Sequence, residues 1–230
     1  MNMDHLPTKW DVKGCLMGSK MLTGSLMFFG PLLGIIMVFV EPGSMSEAPF
    51  TDVAQTMADN STLVMISGMG FALAVMAIFI GTAYLARSMQ GEGKPGSDLA
   101  GLASVFALLL AGVVMVSIGI ELAITDSSWI DQGGDVVNAI AISEAVSRSI
   151  FFFNGLVILL LGIAIIRQKN LNQIVGGLFA LFGGCILVGG MASSGDNIGE
   201  MIWFIGFLGW IIMTMVLGIL TILSARKNAT

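Results

Sequence analysis

The sequence predicts an all-α integral membrane protein: a six-transmembrane-helix bundle forming one domain, with both termini cytoplasmic. Three observations carry this. First, the 230 residues are 56% hydrophobic and only 11% charged, with a mean hydropathy of +0.92. A soluble domain carries about 25% charged residues. Second, after Arg148 and as far as Ala192 the chain is two apolar runs joined by the polar turn Arg167-Gln168-Lys169-Asn170, and neither run holds an acid or a base. In water such a hairpin would have no polar face to show. In a bilayer it is two spans and a short turn. Third, with six spans nearly all of the basic residues fall on one side of the membrane.

Runs of about 20 apolar residues match a hydrocarbon core roughly 30 Å thick at 1.5 Å rise per residue. A closed β-barrel would need strands of about 10 residues alternating apolar and polar, and these runs are continuous.

In chain order, residues 1–20 read as a polar cytoplasmic arm with Lys9, Lys13 and Lys20. Span one is Met21–Val40. Its apolar run is longer than a signal-peptide h-region, and no A-x-A-like site follows it. Pro31 falls mid-span, where it should kink or loosen the helix. The loop Glu41–Asn60 carries Glu41, Glu47, Asp52 and Asp59 and no base. Span two is Thr62–Ala86, followed by a turn rich in Gly and Pro between Arg87 and Asp98. Span three is Leu99–Ile124. The acidic stretch Thr125–Ser147 follows, and its second half has helical spacing that reads as an amphipathic lead-in to span four, Ser149–Ile166. Span five is Leu171–Ala192. Span six is Met201–Ala225, and 226–230 is a cytoplasmic tail. The transmembrane domain is thus 21–225.

Of the ten basic residues, nine fall on one side of this arrangement and only Arg148 on the other. By the positive-inside rule both ends face the cytoplasm. The expected location is a cell membrane, the plasma membrane of a prokaryote. Trp129 and Trp203 lie near outer span ends and fit an interfacial belt, whereas Trp210 lies deeper and packs.

A net charge of −5 and a pI near 4.7 disfavour a nucleic-acid partner. The lipid bilayer is the expected environment, and other membrane subunits are candidate partners. Cys15 and Cys185 lie far apart and imply no disulfide; Cys15 is placed for juxtamembrane palmitoylation. His5 is the sole histidine, so no zinc, copper or haem ligand set is visible and no serine has an activating base. No cofactor is expected. Asp126, Asp131 and Asp135 are near one another and could form a carboxylate site for Ca²⁺, though their spacing is not that of an EF-hand. "GEGKPG" at Gly91–Gly96 lacks Walker spacing and reads as a turn.

Glu121, about one turn from the outer end of span three, is the most informative polar residue. An ionisable side chain inside a span marks a pathway or a partner by default. The plainer reading, and the preferred one, is that it reaches headgroups and water. Arg148, the sole external base, could pair with it and lock spans three and four. Asn154 lies deeper and reads as an interhelix polar contact, as do Thr82, Tyr84, Ser117 and Thr214. Gly176, Ala180 and Gly184, four apart in span five, form a strip that lets a neighbouring backbone come close, within the monomer before any dimer.

The hairpin "FNGLVILLLGIAIIRQKNLNQIVGGLFALFGG" resembles the fourth-to-fifth-span region of a family of six-span prokaryotic membrane proteins described only as a domain of unknown function. Leu161-Gly162, Arg167 and Gly176-Gly177 carry the likeness. The chain departs from it at Leu171-Asn172-Gln173, where the family tends to have a proline. The resemblance implies a topology and no activity. The sequence therefore points to a non-enzymatic membrane protein, an accessory or scaffold subunit of a membrane assembly. The alternative is a small-solute or cation-coupled transporter using Glu121 and Arg148.

Overall fold

The computed structural model describes residues 9–42, 48–169, 171–191 and 197–227; for 9–19, 127 and 128 the backbone alone is described. His5 and the ends of the chain lie outside these residues, as does most of the loop between spans five and six. The described chain forms eight helices: α1 Lys9–Val40, α2 Phe50–Asp59, α3 Ser61–Ser88, α4 Ser97–Ile124, α5 Ser127–Asp131, α6 Val136–Gln168, α7 Gln173–Met191 and α8 Asn197–Lys227. Six of them, α1, α3, α4, α6, α7 and α8, are long and apolar enough to cross a membrane. The chain is a multi-pass helical membrane protein.

The boundaries depart from the expected spans in three places. Residues 9–20, expected as an arm, continue α1 without a break. Extending an existing helix gains a hydrogen bond per residue without a new nucleus, so a polar segment can ride on an apolar one. The helix also runs on through Pro31. Within the first acidic loop, α2 has Phe50, Val53, Ala54 and Met57 at i, i+3, i+4 and i+7, a stripe that needs something to cover. The lead-in to span four is continuous with it: α6 is one helix of 33 residues, about 50 Å at 1.5 Å per residue. Asp135 starts it as N-cap, its carboxylate accepting from the Asn138 amide at 3.1 Å and from Asn138 Nδ2 at 2.6 Å.

The six long helices pack as a closed ring in the order α1, α3, α4, α6, α7, α8, with α8 returning onto α1. Because the spans alternate, both ends of the described chain lie at the end carrying Arg87, Lys94, Arg167, Lys169, Arg226 and Lys227, the basic end. Ring closure relies on small residues. A Cβ at Gly24 would lie 2.6 Å from the Gly218 carbonyl oxygen, and one at Gly218 would lie 2.8 Å from that of Gly24. The interior is one contiguous apolar cluster that includes Met27, Phe79, Ile158, Leu161, Phe179 and Leu217, all fully buried. Outside it, Phe29, Leu73, Leu109, Val116 and Ile212 stand exposed. An apolar surface of that extent suits acyl chains and not water.

At the basic end the turns are tight. Gly96, at φ +78°, presses to within a Cβ's contact of Ala164 on α6, and Gln168 donates through Nε2 to the Met89 carbonyl. At the acidic end the ring wears a cap. The apolar stripe of α2 and Trp129 of α5 close over a second cluster made of Met57, Val64, Ile124, Ala139 and Ile140.

Candidate functional site

Beneath that cap the helices part around a cavity of about 490 Å³. Its apolar wall includes Phe71, Val75, Val114, Ile118 and Phe151. Its polar wall is Glu41, Ser117, Glu121, Ser143, Ser147, Glu144 and Arg148. Three elements supply these groups. Glu41 follows the last residue of α1. Ser117 and Glu121 are one turn apart on α4. Ser143 and Ser147 form one i,i+4 row on α6, and Glu144 and Arg148 the next.

Glu121 takes its hydrogen bond from Ser143, whose Oγ lies 2.6 Å from Oε1. Ser117 extends the chain of hydroxyls, 3.4 Å from Ser143 Oγ and 3.5 Å from Ser147 Oγ. Ser117 thus joins α4 to α6 as a cross-helix polar contact. Glu41 is half-buried, and burial pushes its carboxyl up to about 7, with the neighbouring Glu121 carboxylate adding to the rise. Near neutral pH this acid therefore exists in both protonation states.

The expected Glu121–Arg148 pair does not form. Arg148 Nε donates to Glu144 Oε1 at 3.3 Å, within its own helix, and both side chains are exposed. The reason is helical phase. Ser143 and Ser147 face α4, and the next row, Glu144 and Arg148, is turned about 100° away toward the rim. The structure brings all of these groups to one cavity but gives Glu121 a hydroxyl partner in place of a cation.

Asn154 is buried, but its Nδ2 makes no hydrogen bond, so the expected interhelix contact is not made by that group; Thr214 Oγ1 is buried and unpartnered in the same way. The small-residue strip is half right. A Cβ on Gly162 would meet the Ala180 backbone nitrogen at 2.5 Å and the Gly176 oxygen at 2.7 Å, so Gly176 and Ala180 do face a neighbour. A Cβ on Gly184 would meet nothing within 4 Å, whereas one on Gly183 would meet the Leu159 nitrogen at 2.6 Å. Seven residues return a helix to within about 20° of its starting direction, and eight overshoot by about 80°. The seam is Gly155 and Gly162 against Gly176 and Gly183.

The three aspartates of the second acidic loop do not act together. Asp135 is spent as a helix cap, and the described residues contain no group of three or more His, Cys, Asp or Glu placed to hold a metal ion. Trp129 and Trp203 pack inward, Trp129 against Gly134 and Trp203 stacked on Phe207 with centroids 5.3 Å apart. Trp210 is buried, as its depth requires.

The site residues that sequence reasoning passed over are Glu41, Ser143, Ser147 and Glu144. Glu41 was legible in principle: it directly follows span one, which puts it at the level of Glu121.

The chain matches no protein-family model, no curated protein and no solved structure.

Proposed function

We propose that this protein binds a small organic cation in the acidic-end cavity and acts as a solute or cation-coupled transporter. The observation that carries the reading is the cavity itself, which sets Glu41, just past the end of α1, and Glu121 of α4 within each other's field. Carboxyls at or near membrane depth are costly and usually belong to a substrate or ion path. Arg148, the one base among the residues lining the cavity, is engaged by Glu144, which leaves the pair free to meet a cation. The volume is that of a small-molecule pocket. Since the carboxyls among the described residues do not gather as metal ligands, an ammonium or guanidinium group is the better match. Glu41, half protonated near pH 7, can release its proton as the cation enters, which would couple uptake to a proton.

By the positive-inside rule the cavity opens outward from the plasma membrane of a prokaryotic cell. The test is protein in proteoliposomes, presented with radiolabelled methylammonium and guanidinium under an imposed pH gradient. Uptake that Glu121→Gln abolishes, with the variant's thermal unfolding unchanged, supports the reading. Absence of both binding and uptake for either probe overturns it.

A second reading, an accessory subunit docking through α7, is favoured by a different observation. Gly177 and Gly184 open onto an outward groove with Leu181 and Val188, where an added Cβ would meet nothing. The occupant proposed is a transmembrane helix of a partner subunit. Native mass spectrometry after gentle extraction should then find a stoichiometric partner that Gly184→Leu removes; a chain that arrives alone rules this reading out.

A further inference from the structure

The two carboxyls of the cavity do not sit at its floor. On α4, Glu121 and Val114 are seven residues apart, and seven residues return a helix to within about 20° of the same direction. On α6, Ser143 and Ile150 are seven apart in the same way. All four line the cavity. The two stripes are joined at their polar ends, where Ser143 Oγ lies 2.6 Å from Glu121 Oε1. α4 runs toward the acidic end and α6 away from it, so both stripes turn from polar to apolar in the same direction. The cavity therefore reaches about 10 Å from the carboxyl level toward the basic end.

That lower half is walled by hydrocarbon. Past Ser117 and Ser147 the lining is Val114, Ile150 and Phe151, with Phe71 and Val75 added by α3. Gly70 lies against the side chain of Met37, one turn before Glu41. Phe71 and, a turn beyond it, Val75 are accordingly below Glu41 as well. Phe151 is not free to swing in and close the space. It is wedged edge-on against three rings of α8, with centroids 6.0 Å from Trp203, 5.4 Å from Phe207 and 6.4 Å from Trp210. An apolar recess offers water too few of the polar partners that would hold it. A ligand that was only a charged head would touch the upper half alone.

We infer that the cavity selects an amphiphilic cation: an ammonium head at Glu41 and Glu121, and an alkyl or aryl body that runs toward the basic end among Phe71, Val114, Ile150 and Phe151. The inference rests on the reading that the cavity binds an organic cation, and adds to it the substituent. Methylammonium is then the minimal ligand and not the preferred one. The carboxyls supply the preference for positive charge, and burial of the body supplies affinity. Each methylene taken out of water should tighten binding about three- to fourfold. The two phenylalanine rings suit an aromatic body through edge and face contacts.

The experiment is titration calorimetry of the full chain in lipid nanodiscs with methylammonium, butylammonium and hexylammonium, with protein-free nanodiscs subtracting partition into lipid. Affinity should rise about three- to fourfold per methylene along the series. Val114→Phe places a ring in the lower half and should flatten the rise; Val75→Phe does the same if the first variant fails to fold. Methylammonium that binds as tightly as hexylammonium overturns the inference and leaves the cation reading standing. A rise that survives undiminished in a folded filling variant also overturns it, because the chain is then buried elsewhere. If none of the three cations binds, the cation reading itself fails and takes the inference with it.

Discussion

The two ends of the helical ring are built on opposite terms. At the basic end, and down the α6–α7 seam, backbones meet backbones: Gly162 lies against Gly176 and Ala180, Gly183 against Leu159, and Gln168 ties the end of α6 to the α3–α4 turn. At the acidic end the same helices stand apart around a cavity, and carboxyls and hydroxyls occupy positions that apolar residues would fill more cheaply. α4 and α6 belong to both regions. Helices that pack closely at one end and separate at the other show that the separation is specified locally. Departures from good packing are where function is to be sought.

The contrast can be broken most severely at the seam. Gly162→Leu should prevent recovery of a monodisperse protein, because the new Cβ meets backbone 2.5 Å away and neither helix can yield. Overpacking of this kind costs about 1–3 kcal/mol or more. Gly184→Leu, in the same helix pair, should leave the thermal midpoint unchanged; size-exclusion profiles and melts of the two variants make the comparison direct. At the other end Glu121→Gln should keep the fold, since an amide oxygen still accepts from Ser143, and should weaken cation binding by about tenfold or more for loss of a charge-assisted contact. Titration calorimetry with methylammonium would read it, and undiminished affinity would remove Glu121 from the site.

Smaller effects sharpen the picture. Ser143→Ala takes the donor from Glu121 and should lower stability by about 1–2 kcal/mol, visible as a shifted unfolding midpoint. Glu41 gives a pH signature. Its folded pKa, about 7, lies above the unfolded value of 4.5, so the folded protein holds the proton more tightly. The stability from this group is complete below about 4.5, declines as pH rises toward 7, and is constant beyond. Melting points measured from pH 4.5 to 8 should show that decline, and Glu41→Gln should flatten it. The smallest effect is expected of Arg148→Gln: its exposed pair with Glu144 contributes about 0.3–0.5 kcal/mol, within the scatter of most melts.

Much of this was legible in the sequence. Six spans follow from the length of the apolar runs, and the segregation of acids from bases follows from counting. The lead-in to α6 was visible in its spacing. The amphipathic stripe of α2 was equally visible but lay inside a loop dense with acids, where charge drew more notice than period. The Glu121–Arg148 pairing failed because span ends say which residues share a level and nothing about which way each faces. For that, the phase of α6 had to be known to within one residue. The glycine strip failed at Gly184 for the same reason, a one-residue drift over two turns. The cavity could not be read in advance, since an unfilled volume is a property of several helices at once.

The contact between Gly24 and Gly218 joins residues 194 positions apart in the chain. At about 5–20 residues per second, a ribosome takes some 10–40 s to travel from one to the other. Throughout that interval α1 has only α3 beside it, and its second flank is covered by lipid or by the insertion machinery. α8, made long after α1, is therefore the helix that completes its packing, and a chain lacking α8 would leave both α1 and α7 short of a neighbour. Quality control of this protein can rest on a single late event, the arrival of α8 in the gap between them.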